Sequence, residues 1–232
     1  MKIEALFFDC DGVLVNTEPL HYRAFLNVLK AYGVYFDYET YIERYIGFDD
    51  RDAFKAIANH YHLSFSESDI PALVQQKNVY LIQEASKGVD TFEGVVPFVR
   101  SVYEAGFTLG LVSGSLRQEV ETFLRWLGIL DFFSVFVTAE DVDKSKPHPE
   151  SYEKAILRMS NHLRKELSPS RCVAFEDTPA GVESAKGAGM VVVAVEHSFA
   201  AKDLKEADIV IPSFKDMNFA KFCDLVKEVI RK

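Results

Sequence analysis

Two aspartates, Asp9 and Asp11, follow directly on the apolar run Ala5-Leu6-Phe7-Phe8 and are themselves followed by Gly12. The run reads as a buried strand, and ionised carboxylates at its end lose hydration unless they are paired or bind a metal. Two other apolar runs end in the same way: Thr108–Val112 leads into Ser113-Gly114-Ser115, and Cys172–Phe175 into Glu176-Asp177. A fourth polar segment, Lys144-Ser145-Lys146-Pro147, precedes a helical pattern. Brought together, these residue types could transfer a phosphoryl group through an aspartyl phosphate. Asp9 is the candidate nucleophile on phosphorus. Asp11 could protonate the leaving oxygen and then activate the next acceptor. Glu176 and Asp177 add the acids that a Mg2+ site needs, since that cation favours a few carboxylates together with water and phosphate. The Ser113 hydroxyl and the N–H groups at Ser113-Gly114, ahead of a helix, could hold phosphate oxygens. Lys146 would offset the charge that spreads in the transition state.

These clusters converge only if the strands that carry them run parallel and end at one edge of a sheet, where open α/β folds bind ligands. The sequence pattern provides such a frame. After the strand at residues 3–8, Asn16-Thr17-Glu18-Pro19 marks a helix start, with Thr17 a candidate cap and Pro19 in the first turn. Helical patterns then run to Gly33 and over Thr40–Ile46, Asp50–His60 and Asp69–Ala85, with no strand among them. From residue 91 onward helices alternate with strands: helices at Val95–Ala105, Arg117–Leu127, Pro149–Met159, Pro179–Ala188 and Phe219–Ile230, and strands at Thr108–Val112, Val135–Thr138, Cys172–Phe175, Val191–Val195 and Ile209–Ile211. Alternation of this kind implies a parallel sheet covered on both faces. The expected organisation is a core of residues 1–15 and 90–232 and an inserted helical domain of residues 16–89, placed over the acidic pair. Ser115 is expected to cap the helix that follows it. The aromatic residues of the insertion (Tyr35, Phe36, Tyr38, Tyr41, Tyr45 and Phe48) read as its core and surface.

Composition bounds the partners. The chain has 232 residues, 48% of them hydrophobic and 26% charged, as in ordinary globular proteins. A net charge of -9 excludes a nucleic-acid backbone as the expected partner and suits a protein that binds a divalent cation. The expected partner is a small phosphorylated metabolite, and the expected state a monomer or weak oligomer. Cys10, Cys172 and Cys223 form no metal-ligand spacing and read as buried thiols in a reducing compartment, Cys10 pointing away from its acidic neighbours into the core. Acids already at residue 9 leave no signal-peptide pattern. No apolar run reaches the roughly 18 residues of a membrane span. A cytoplasmic protein is expected. His60, His62, His148, His162 and His197 show no metal spacing and read as structural or exposed.

The segments Asp9-Cys10-Asp11-Gly12-Val13, Ser113-Gly114, Lys146-Pro147 and Glu176-Asp177 resemble, in order and spacing, the four motifs of the haloacid dehalogenase superfamily. The likeness runs over essentially the whole chain, and the helical insertion is similar to that superfamily's helical cap. It implies a Rossmann-like α/β core, a doubly wound parallel sheet, with Asp9 as nucleophile and Asp11 as general acid and base. It also implies Mg2+ held by Asp9, the Asp11 main-chain carbonyl and Asp177, with Glu176 assisting, and a transferring phosphate held by Ser113, Gly114 and Lys146. An acid at position 11 resembles the phosphate-handling members rather than the dehalogenases. Asn16-Thr17-Glu18-Pro19-Leu20-His21 resembles the branch shared by beta-phosphoglucomutase and small sugar-phosphate phosphatases. Thr17, His21 and Lys77 are then the candidate substrate-facing residues of the cap. Arg51 falls one step later than that branch's cap arginine, and Asn16 replaces its usual aspartate; both departures favour plain hydrolysis over mutase activity. The expected activity is therefore Mg2+-dependent phosphatase action on small phosphorylated metabolites, with phosphomutase action as the alternative. A non-turnover phospho-accepting signalling module shares the strand-end acids, but the insertion at residues 16–89 would cover the face that a signalling partner needs.

Overall fold

The computed structural model describes residues 3–230. Six parallel strands form one sheet in the order β3-β2-β1-β4-β5-β6. They are β1 (Ala5–Phe8), β2 (Leu109–Val112), β3 (Phe133–Val137), β4 (Cys172–Glu176), β5 (Val191–Val195) and β6 (Ile209–Ile211). The central strands are buried on both faces and consist almost wholly of apolar residues, as a sheet covered by helices on both sides requires. Alternation divides β1 between two cores. Leu6 and Phe8 face the helices α5 (Val95–Glu104), α6 (Arg117–Trp126) and α9 (Phe219–Ile230); Ala5 and Phe7 face α7 (Glu150–Leu163) and α8 (Pro179–Gly187). This is the doubly wound α/β fold. Among the described residues no helix is long and apolar enough to cross a membrane.

Between β1 and α5 lie four helices: α1 (Glu18–Leu29), α2 (Tyr38–Arg44), α3 (Asp50–His60) and α4 (Ile70–Ala85). They bury an apolar cluster of their own, in which Phe25, Tyr41, Phe54 and Leu73 meet. Asn16 and Asp90 form an isolated antiparallel bridge, so the chain leaves the sheet and returns to it at one point. Asp49 joins the two parts. It caps α3 by accepting from the Asp52 N–H at 2.8 Å, and it also accepts from the hydroxyl of Ser145, next to Lys146.

Several elements differ from the sequence expectation for identifiable reasons. Helix α2 starts at Tyr38 because Asp37 caps it, accepting from the Thr40 N–H at 2.9 Å. Strand β3 begins at Phe133; it lies at the sheet edge, where Ser134 can face water and hide the strand pattern. Helix α7 runs on to Leu163. Thr17 makes no capping bond to α1, and Ser115 does not cap α6; both hydroxyls turn to Asp11 instead. Of the three free thiols, Cys10 and Cys172 are buried and Cys223 is half-buried.

Gly12 sits at the turn after the acidic pair with φ +80°, and a Cβ there would overlap the Asp177 carboxylate. Gly12→Ala combines a left-handed backbone with that overlap, a penalty of about 1–3 kcal/mol. Chemical denaturation should show this loss, and calorimetry should show weaker divalent-cation binding, since Asp177 must move to make room.

Candidate active site

The strand ends converge as parallel pairing requires. The Asp9 N–H continues the ladder to the Phe175 carbonyl at 3.0 Å, and the Ser113 N–H reaches the Val137 carbonyl at 3.0 Å. Asp9, Ser113 and Asp177 therefore leave the sheet side by side. Lys146 closes the group from the loop before α7. Its ammonium donates to Asp9 Oδ1 at 2.6 Å, to Glu176 Oε1 at 2.6 Å and to the Val112 carbonyl at 3.1 Å. Those three bonds use all of its donors. Burial opposes the charge on Lys146, but Asp9 and Glu176 outweigh it and push its pKa up. The Tyr152 hydroxyl adds a 2.5 Å bond to Glu176 Oε1.

One ammonium does not balance this group. Asp9, Glu176 and Asp177 place carboxylate oxygens within 4.8 Å of one another. Among the described residues both oxygens of Asp177 are buried with no hydrogen bond of normal geometry, although the Ser198 hydroxyl is near enough to oppose the upward push on its pKa. Burial pushes the Asp9 and Asp177 carboxyls well above their ordinary range; at Asp9 the Lys146 charge opposes this, and at Asp177 repulsion from Asp9 adds to it. Fully ionised, three carboxylates facing one ammonium would carry a surplus of two negative charges in a buried place, and the raised pKa values of Asp9 and Asp177 are the response to that crowding. A divalent cation seated among Asp9, Glu176 and Asp177 would neutralise that surplus and satisfy Asp177, so the donor set fits a hard, oxygen-ligated metal.

Asp11 has different surroundings. Its carboxylate accepts from the hydroxyls of Thr17 and of Ser115, the latter at 2.7 Å, and lies 3.4 Å from Ser113 Oγ. His21 Nε2 is 3.2 Å from Asp11 Oδ1, and His21 Nδ1 is 2.7 Å from Lys77 Nζ. An ammonium cannot accept a hydrogen bond, so Nδ1 is the acceptor and Nε2 carries the proton donated to Asp11. Lys77 is itself fixed by Asp50 at 2.9 Å and Glu119 at 3.6 Å. Burial works against an ionised Asp11, but the bonds from His21, Thr17 and Ser115 prevail and hold its carboxyl well below the usual range. The two aspartates thus differ electrostatically: Asp9 belongs to the crowded acidic cluster, Asp11 to a ring of donors.

A chamber of about 80 Å³ opens over these groups, bordered by Asp9, Asp11, Ser113, Gly114, Lys146 and Glu176 at the sheet edge. Helices α1 and α3 cover it, with His21 and Asp49 in its wall. Thr17 and Lys77, expected to face substrate, are fully buried instead; Thr17 reaches Asp11 directly and Lys77 only through His21. His21 does border the chamber. Ser115, expected only as a helix cap, is a donor to Asp11, and three residues near the site were not singled out in the sequence: Glu119 beneath Lys77, Tyr152 on Glu176, and Asp49 on Ser145. Glu119 had a readable signal, an acid in the first turn of a helix; its carboxylate accepts from the Leu116 N–H at 3.0 Å. Tyr152 carried none.

Comparison with known proteins agrees with this arrangement. Beta-phosphoglucomutase from Clostridium difficile superposes with a TM-score of 0.86 at 26% identity, over 99% of this chain and 100% of that one. The phosphorylated carbohydrates phosphatase of Thermotoga maritima is 30% identical over 197 residues, 84% of this chain and 87% of that protein. The validoxylamine A 7'-phosphate phosphatase of Streptomyces hygroscopicus subsp. limoneus is 29% identical over 212 residues, 91% of this chain and 94% of its own. Residues 6–195, from the strand that delivers Asp9 to the strand beyond Asp177, match the model of the haloacid dehalogenase-like hydrolases, and the chain belongs to that family.

Proposed function

We propose that this enzyme is a Mg2+-dependent phosphatase of small phosphorylated metabolites, sugar phosphates among them, working through an aspartyl phosphate on Asp9. The observation that carries the reading is the surplus of buried carboxylate around Asp9, with both Asp177 oxygens lacking a hydrogen bond of normal geometry among the described residues and Lys146 the cation that reaches the cluster. Asp9, Glu176 and Asp177 would hold the metal, with the Asp11 main-chain carbonyl as a further ligand. When bound, Mg2+ would supply positive charge that lets a carboxylate approach a phosphate dianion.

The rest of the chemistry falls to the chain itself. An Asp9 carboxylate oxygen bonds to phosphorus as the ester P–O bond breaks, and Asp11 gives the leaving oxygen its proton. Ser113 and the Gly114 N–H hold the equatorial phosphate oxygens during transfer, and Lys146 joins them by giving up one of its three present acceptors. Water then attacks the same phosphorus, its proton passes to Asp11, and the Asp9–phosphorus bond breaks to release phosphate. The donors around Asp11 favour its ionised form, the form this second half needs, and oppose the protonated form from which the first half starts; the proton taken from water regenerates that form in each turnover. Residues 16–89 act as a cap over the core of residues 1–15 and 90–232, and Asp49 on Ser145 latches the two, excluding bulk water while the intermediate exists.

The test is release of inorganic phosphate from a panel of phosphate esters with Mg2+ present. Removing the metal with a chelator should lower turnover by about 100-fold or more, and added Mg2+ should restore it. Turnover indifferent to the chelator would sink the metal assignment. The likeness to beta-phosphoglucomutase favours a second reading, return of the phosphoryl group to another sugar hydroxyl. Conversion of beta-glucose 1-phosphate to glucose 6-phosphate, primed by a bisphosphate, separates the two; release of phosphate alone rejects the mutase.

A further inference from the structure

Strands β1, β4 and β5 end side by side, and the segment that leaves β5 reaches back across the end of β4 to the turn after β1. There the Nδ1 of His197 lies 2.7 Å from the Gly12 carbonyl. A carbonyl only accepts, so Nδ1 carries the proton and donates it. Ser198 occupies the same corner. A Cβ on Gly12 would lie 2.9 Å from Ser198 Oγ, besides overlapping the Asp177 carboxylate. Residues 197 and 198 thus meet both places that supply candidate metal ligands: the turn that carries Asp9 and Asp11, and the end of β4 that carries Asp177.

The turn needs an outside hold. Ladder bonding fixes β1 as far as the Asp9 N–H, which reaches the Phe175 carbonyl. Beyond that point the chain closes on itself: the Gly12 N–H donates to the Val15 carbonyl and the Leu14 N–H to the Cys10 carbonyl, each at 2.8 Å. Side chains from elsewhere hold two of the turn's carbonyls. Thr91 Oγ1 donates to Leu14 at 2.7 Å, and His197 donates to Gly12. Among the described residues the Gly12 carbonyl accepts from no other group. Gly12 has φ +80°, and a glycine leaves its own backbone angles loosely restrained. The bond from His197 pins the peptide on one side of its Cα; the Asp11 carbonyl, the further metal ligand proposed above, belongs to the peptide on the other. The donor is itself braced. The His197 ring stacks on Phe92, with centroids 3.7 Å apart and planes 15° apart. Phe92 follows Thr91 and Asp90, and Asp90 bridges to Asn16, so the ring rests on the segment by which the chain returns from the insertion. An apolar side chain could fill that space equally well. The imidazole adds a donor aimed at the turn.

We propose that His197 is a positioning residue: through the Gly12 carbonyl it holds the turn that carries Asp9 and Asp11 in the geometry that receives the divalent cation. The inference rests on the metal assignment above and extends it to a segment that supplies no ligand of its own. Two substitutions of one shape separate positioning from packing. His197→Asn and His197→Leu both lose the stack on Phe92, but Asn keeps a donor, Nδ2, where Nδ1 stood, and Leu has none. The substrate-free protein is titrated calorimetrically with Mg2+. His197→Leu should bind about 10-fold more weakly than the parent, the worth of one hydrogen bond, and His197→Asn within about 3-fold of the parent. Both metal-free variants should melt below the metal-free parent, since both lose the stacked ring. A fall in melting temperature common to the two, beside a loss of affinity confined to His197→Leu, is the signature of positioning. Should His197→Leu fail to fold, His197→Ala takes its place with the same expectation. Equal Mg2+ affinity in His197→Asn and the variant without a donor, while the parent binds the metal, overturns this inference alone. A parent that binds no Mg2+ overturns the metal assignment and the inference with it.

Discussion

Asp9→Asn is expected to lower turnover by about 10⁴-fold or more without weakening the fold. Loss of a nucleophile that forms a covalent intermediate removes the reaction path itself, and such losses reach about 10⁶ where they have been dissected. The fold should withstand the change because Asn keeps the shape and an acceptor oxygen for Lys146, which lies 2.6 Å from Asp9 Oδ1. It also removes one of three carboxylates that crowd a buried site. Burial already pushes the Asp9 carboxyl toward its neutral form, with Lys146 opposing, so a neutral amide sits there at little cost. The metal-free variant should therefore melt no lower than the metal-free parent, and higher if repulsion from Glu176 and Asp177 outweighs the lost attraction to Lys146. Rapid quench of the parent enzyme with a phosphate ester should yield an acid-stable, base-labile phosphoryl group on the peptide that contains Asp9, and the variant should yield none. Turnover within about 10-fold of the parent would remove Asp9 from the nucleophile's role.

The same contrast between what a residue is and where its neighbours turn it explains which parts of the site were legible in the sequence. Asp9, Ser113 and Glu176-Asp177 could be read because each follows an apolar run, and parallel pairing carries all such ends to one edge. Lys146 could be read because a carboxylate nucleophile beside a phosphate needs a neutralising cation, and the segment Lys144-Ser145-Lys146-Pro147 supplies one in order with the strand-end clusters. The acceptors and donors of single hydroxyls could not. Thr17 and Ser115 both stand at helix starts, where a hydroxyl ordinarily caps. Only the tertiary position of Asp11 draws them away. Lys77 illustrates the same limit with a charge. On an amphipathic helix it reads as solvated or ligand-facing, yet it is fully buried, because Asp50 from α3 and Glu119 from α6 meet it from separate elements. The buried cation then sets the tautomer of His21, a link that no local pattern contains. Fold boundaries failed for a simpler reason: β3 is an edge strand, and the exposed Ser134 interrupts its apolar signature.

Lys146→Met should separate the residue's structural and chemical duties through the metal. Lys146 is the ammonium in contact with Asp9 and Glu176, and its side chain is only 13% exposed. Removing one partner of a buried pair typically costs about 3–5 kcal/mol, because the charge left behind is uncompensated. Asp9 can retreat to the neutral form toward which burial already pushes it, so the metal-free variant should fall at the lower end of that range. A divalent cation at Asp9, Glu176 and Asp177 would supply the missing positive charge. The loss of stability should therefore shrink when Mg2+ is added, whereas a packing defect would be indifferent to it. Linkage gives the reciprocal expectation. Lys146 and a cation held there would repel each other across shared carboxylates, so the variant should bind Mg2+ more tightly than the parent. Catalysis should not recover with stability. In the proposed reaction the ammonium would also face the charge that spreads over the transferring phosphoryl group, and loss of one such preorganised donor costs about 10²–10³ in turnover. Denaturation with and without Mg2+, calorimetric titration of the metal, and turnover at saturating Mg2+ are the three measurements. Equal destabilisation in both conditions would mean that no cation shares this cluster. Turnover close to the parent's would mean that Lys146 balances the carboxylates without touching the transferring phosphate.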